Sequence, residues 1–291
     1  MRFIDFLNES NHKTKQLRRL SLTENEYTVQ PKTKDELVQI IKDYCEENGW
    51  NSDLNFIDTS LITDMKGLFS GDSSHGYGLE KFNGDISQWD VSNVWDMTFM
   101  FSKAKDFNQP LNNWDVSNVK LMGAMFAHAH TFNQPLNKWD VSKVEHMAGM
   151  FFNAFEFNQP LNNWDVSNVK DMGFMFGRTE KFNQPLNNWD VSNVKNMQGM
   201  FDSTKSFNQP LNNWDVSNVK NMSSMFYEAK SFNQPLNNWD TSNVEDMSWM
   251  FFGAKSFNQP LDDWDVSKVK SMKDMFEFSK LERTGNLPDW Y

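Results

Sequence analysis

Residues 107–131 read FNQPLNNWDVSNVKLMGAMFAHAHT, and the same sentence returns almost word for word with its leading Phe at 82, 107, 132, 157, 182, 207, 232 and 257. A fixed period of 25 residues marks a stack of supersecondary units, none of which buries its own apolar face without a neighbour on each side. Within one unit, residues 109–114 read as a short extended piece anchored by Leu111 and Trp114, because the residue before Pro110 is pushed out of the helical region. Asp115-Val116-Ser117-Asn118 reads as a turn in which the Asp115 carboxylate accepts backbone N–H bonds two or three residues on. A second extended piece follows. Met122, Met125, Phe126 and Ala129 then recur at i, i+3, i+4 and i+7, the spacing of a two-turn helix with one face inward.

The expected fold is an α/β repeat solenoid, with 25-residue rungs of short strand, turn and short helix. With strands about 4.8 Å apart, about ten rungs make a rod roughly 50 Å long. Phe, Leu, Trp, Val, Met and Ala fill each layer and stack on themselves. The Met columns read as flexible core filler rather than a thioether metal row, and the Trp column from Trp89 to Trp264 as core before sugar platform.

Outward from the repeats, residues 58–69 line up with 90–101 as a degenerate first rung spanning 56–81. Met65 and Met97 lie 32 residues apart, and the excess over the period falls in the Gly/Ser-rich run 71–78, which must loop out. Thr33 and Glu36 form a capping box before Leu37, Ile40, Ile41, Tyr44 and Cys45 at helical spacing, so 31–55 reads as a helical cap over the open first rung. Residues 1–30 read as a polar, partly disordered arm. The solenoid runs over 56–281, and 282–291 begin one more rung as a C-terminal cap.

The balance of 28 basic against 39 acidic residues gives a net charge of −11, which repels a polyanion, so no nucleic-acid partner is expected. One cysteine, Cys45, excludes an internal disulfide framework. Residues 1–15 lack the apolar core and cleavage site of a secretory signal, and there is no lipobox or run of apolar residues long enough to span a bilayer. The expectation is a cytoplasmic chain with no membrane insertion, with a surface or particle location as the alternative.

The wording NWDVSNVxxMxxMF resembles the DUF285 repeat, a BspA-like relative of leucine-rich repeats found in bacterial surface proteins, mycoplasma lipoproteins and mobile elements. It covers about residues 56–290, and PKTKDEL at 31–37 with IDTS at 57–60 resembles the segment leading into such arrays. The resemblance implies a leucine-rich-repeat-like, right-handed solenoid used for binding or adhesion, and brings no catalytic residues.

Function is sought where the copies differ. The pair after the first Met and the pair after the inward Phe vary from rung to rung, and aromatics there form a candidate binding surface: Phe99, Phe152, Phe174, Tyr227, Trp249 and Phe252, with Trp95 and Phe155 beside them and His128 and Arg178 in the same columns. His128, His130 and His146 raise a zinc reading, outweighed by chance surface histidines because no acid accompanies them. No nucleophile elbow, Walker loop, HExxH, EF-hand loop or GxGxxG is present, so no cofactor, metal or catalytic residue is assigned. Three readings follow in order: a non-enzymatic protein-binding scaffold, an adhesin-like binder of cell-surface glycan or host protein, and a hydrolase. The aspartate column, Asp90 to Asp265, must be neutralised, and backbone N–H bonds within each DVSN turn are the expected means, ahead of calcium.

Overall fold

The computed structural model describes residues 29–291, so the expected arm lies, apart from Val29 and Gln30, outside the described residues. Helix α1 spans Lys34–Asn48. Thr33 Oγ1 accepts the N–H of Glu36 at 3.2 Å, and the Glu36 carboxylate turns back to the N–H of Lys32 at 2.7 Å, one residue earlier than a capping box would reach. The helix buries Leu37, Ile40, Ile41 and Cys45, which join the same apolar cluster as Leu54 and, in the first rung, Ile57 and Met65. Lys34 ties it to Asp64 at 2.8 Å. Burial pushes the Cys45 thiol up to about 11, so it is an apolar filler and not a reactive group.

From there the chain comes back onto itself once per rung. Single parallel bridges join Asp64 to Asp96, Asp96 to Leu121, Leu121 to His146 and so on to Ser271. The first step covers 32 residues because the run 71–78 is looped out; its Asp72 is held by Lys103 at 2.8 Å and its His75 stacks on Phe99 at 4.6 Å. Gly67, at φ +67°, has to be glycine, since a Cβ there would stand 2.2 Å from the His75 carbonyl oxygen.

The helix expected at Met122–Ala129 spacing is absent. In its place is a ribbon of overlapping turns whose N–H groups alternate between two kinds of partner. Met125, Ala127 and Ala129 close turns onto the carbonyls three residues back, while Met122, Ala124, Phe126 and His128 donate to His146, Ala148, Met150 and Phe152 of the next rung at 2.7–3.0 Å. The third residue of two turns in each rung, such as Ala124 (φ +51°) and His128 (φ +59°), has positive φ, as a type II turn requires. A 3-1-3 spacing therefore fits this ribbon as well as a helix, and pairing with both neighbouring rungs decides for the ribbon, because it gives seven of the eight N–H groups from Met122 to Ala129 a backbone partner. The strand-like part of each rung is reduced to one bridge residue.

The inward columns are dry. Phe101, Phe126 and Phe151 stack at 5.4 and 5.7 Å with planes 3° apart, and the Met and Val columns are buried beside them. The Trp column from Trp89 to Trp264 is likewise buried, each indole N–H donating to the Leu carbonyl, or for Trp114 the Ile86 carbonyl, one rung back, as Trp164 does to Leu136 at 3.0 Å. These rings are core and leave no face for a sugar. Helix α2, Lys280–Thr284, follows the last ribbon, after which Trp290 lies on Trp264 at 6.5 Å and donates to Leu261 at 2.9 Å.

Candidate functional site

The two variable columns singled out by sequence turn out to contain the positive-φ positions of the ribbon. Sixteen of these positions fall in the eight full rungs, among them Phe99, Phe174, Trp249, Arg178 and Phe278, with only Gly149, Gly199 and Gly253 as glycines. Left-handed backbone costs an ordinary residue about 1–2 kcal/mol, and the array carries that cost repeatedly on the face where its side chains differ.

On this face, between Phe99 and Phe174, lies a groove of about 530 Å³. Its floor is small: Ala124 and Ala127 from one rung, Ala148 and Gly149 from the next, then Gly173. A Cβ on Gly149 would make only ordinary contact, at 3.8 Å from the Ala124 and Phe152 Cβ atoms, so nothing packs tightly over the floor there. The far wall leans away from it. Phe152 lies over Gly177, where a Cβ would stand 3.0 Å from its ring, and Phe174 lies over Gly199, where the distance would be 2.2 Å. The two rings meet edge to face at 6.0 Å. Phe99 and the Asp72 loop close the near end, and Lys103 and His128 stand along the side.

The groove is apolar with a charged rim. Arg178 caps the Phe152 ring at 5.7 Å. Burial, then the neighbouring His130 and Lys103, hold His128 below the ordinary histidine value, so it is neutral near pH 7 and its ring meets Phe152 edge-on at 5.4 Å. The Lys103 ammonium, with the hydroxyl and N–H of Ser74, holds the Asp72 carboxyl well below the carboxylate range.

Across residues 38–155, 132–227 and 179–290 the chain matches the family model described as Mycoplasma protein of unknown function, DUF285. The chain belongs to the DUF285 family. No curated protein and no solved structure matches it.

Within this DUF285 array the expected surface residues separate into groups. Phe99, His128, Phe152 and Phe174 line the groove, with Arg178 against it. Phe155 does not; it is half-buried and stacks on His130 at 4.6 Å. Trp95 stands apart at 46% exposure, at the head of a column of Lys and Glu. Trp249, 36% exposed, is engaged by Asp274 at 3.2 Å and by Lys273 over its ring. Tyr227 and Phe252 stack on each other near the far end of the ribbon. His128 and His130 rings are 6.4 Å apart, and among the described residues no three His, Cys, Asp or Glu gather as a metal would need. Sequence reasoning passed over the floor residues, whose signal was present: small residues in consecutive rungs at the columns where the flanking rungs carry Phe.

The aspartate column sits on another side. Asp115, Asp140, Asp165 and Asp190 each accept the N–H of the Ser two residues on at 3.0 Å. The Ser192 hydroxyl and N–H hold the Asp190 carboxyl below its ordinary value, and Ser142 does the same for Asp140. Among the described residues no helix is long and apolar enough to cross a membrane.

Proposed function

We propose that the chain is a leucine-rich-repeat-like solenoid acting as a non-enzymatic scaffold, and that it binds a protein through the groove between Phe99 and Phe174. One observation carries this reading: the open, small-residue floor of about 530 Å³ lies between aromatic walls on the side of the array where the copies differ. Contiguous apolar concavity with a charged rim suits a partner that inserts a large aliphatic or aromatic side chain. The ribbon supports the reading because its rungs are joined through backbone groups, which leaves the outward side chains available for recognition. DUF285 membership is compatible with such a role and assigns none.

The test fills the floor. Ala148→Arg places a long side chain in the groove at a half-buried position whose backbone conformation is ordinary. Affinity capture from the source cells with the full chain as bait should recover a protein partner that A148R loses while circular dichroism stays the same. Equal capture by both baits overturns the groove as the site. Recovery of polysaccharide in place of protein moves the assignment to a glycan-binding adhesin.

A further inference from the structure

Near the other end of the ribbon is a second depression, of about 410 Å³, lined by Lys230, Lys255, Arg283, Phe252 and Phe278 together with Glu228 and Glu282. It shares no residue with the groove. Its lysines belong to a column in which successive rungs place Lys205, Lys230, Lys255 and Lys280 at the same point, about 4.8 Å apart. In this column Lys205 is answered by Glu180 one rung back, and in other columns Lys170 pairs with Glu145 and Lys181 with Glu156. Beyond Lys205 the column holds three lysines in succession with no acid among them. Among the described residues no carboxylate lies within ion-pair distance of Lys230, Lys255, Lys280 or Arg283, in a chain whose net charge is −11.

The arginine is anchored by two backbone carbonyls. Its Nε donates to the Ser279 carbonyl and one Nη to the Lys255 carbonyl, both at 3.1 Å, which leaves the remaining guanidinium donors unspent. Of the two lining glutamates, Glu282 is engaged, its carboxylate accepting the N–H of Phe278 at 2.8 Å. Beside the cations lie three aromatic rings. Tyr227 and Phe252 cover each other's faces, 4.9 Å apart and 4° from parallel, and Phe278, 58% exposed, meets Phe252 edge to face at 5.2 Å. Phe252 and the exposed Phe278 therefore give the basic cluster an apolar neighbour.

We propose that this pocket binds an acidic protein segment, with a carboxylate side chain against Lys230, Lys255 and Arg283 and an apolar neighbour against Phe252 and Phe278. Charge-assisted bonds to the guanidinium set orientation, and the aromatic edge gives the apolar contact. The site extends the protein-binding reading to a second kind of contact, but the two use separate residues, so failure of either leaves the other standing.

Fluorescence anisotropy on the full chain at low salt tests it, with a labelled peptide of alternating glutamate and leucine, the same peptide with lysine for glutamate, and a sulfated oligosaccharide. The glutamate peptide should bind and the lysine peptide should not. Replacing Lys230 and Lys255 together by Gln, at exposed side chains with no ion pair to lose, should weaken binding at least about tenfold, and Phe278→Ala at least about threefold. Lys195→Gln, outside the pocket, should leave it unchanged. The proposal is overturned if the glutamate peptide fails to bind, if the double variant binds it equally well, or if the oligosaccharide binds more tightly and loses its affinity in the same variants.

Discussion

Between residues 157 and 168 the bonds to the neighbouring rung come from side chains, whereas between 172 and 178 they come from the backbone. In the first segment Asn158 N–H donates to the Asn133 side chain, Gln159 to the same oxygen, Trp164 to the Leu136 carbonyl and Asn168 to the Ser142 carbonyl. In the second, the N–H groups of Met172, Phe174, Phe176 and Arg178 reach the carbonyls of Asn196, Gln198, Met200 and Asp202. A bond made by a side chain fixes that side chain, so FNQPLNNWDVSN is copied almost unchanged. A bond made by the backbone fixes only direction. The outward residues of the ribbon are then at liberty to be Phe, Gln, Ser or Trp, and this difference explains where the repeats vary.

If the comparison holds, substitutions in the two halves should differ in size and finally in sign. Trp189→Ala removes a buried ring and its 2.9 Å bond to the Leu161 carbonyl, which keeps only the Trp164 N–H, and should lower stability by about 3–5 kcal/mol in urea unfolding. Asn158→Ala leaves the Asn183 N–H without its acceptor at 3.0 Å and takes one of two acceptors from the Gln184 amide, which keeps the Asn158 carbonyl at 3.1 Å. It should cost about 1–3 kcal/mol; a neutral result would mean that the side-chain bonds are incidental to the stacking.

Asp190→Ala removes the Ser192 acceptor and should cost about 1–2 kcal/mol at about pH 7, with a calcium chelator leaving the melting temperature unchanged. Because the folded carboxyl lies below its ordinary value, its contribution is present above the unfolded value of about 3.9 and is lost as pH falls through the folded one. The gap in urea midpoint between wild type and D190A should therefore narrow at about pH 3 and below. In the ribbon, Ser224→Gly should act in the opposite direction. Ser224 sits at φ +56°, so glycine relieves strained backbone at some entropic cost and should raise stability by about 0.5–1 kcal/mol. A loss there would show that the side chain, and not the backbone, holds the rung.

How much of this was legible beforehand depends on which groups carry the information. Helix α1 was readable because Thr33 caps it and Leu37, Ile40, Ile41 and Cys45 make one stripe. The Asp190 turn was readable because a carboxylate two residues before a free N–H has one nearby use. The ribbon was not, because its Met and Phe spacing is shared with a helix, and the positive φ that distinguishes it falls on Phe99, Arg178 and Trp249, residues that give no sign of left-handed backbone. Of the candidate site, the walls Phe99, Phe152 and Phe174 stood out as aromatics. The floor at Ala124, Ala148 and Gly149 did not, since a hollow is made by what is small and only the stacking order shows the small residues to be neighbours.

The pairing of Phe174 with Gln198 and of Phe176 with Met200, each crossing a single boundary between rungs, also bears on heredity. A copying slip that adds or removes one whole repeat in frame would join two boundaries of the same kind and leave every other bond as it was. The array can thus lengthen or shorten its reach by recombination without refitting its interior. The spacing between the groove and the lysine pocket is a quantity that a lineage can vary in steps of one rung, while the chemistry of both is inherited intact.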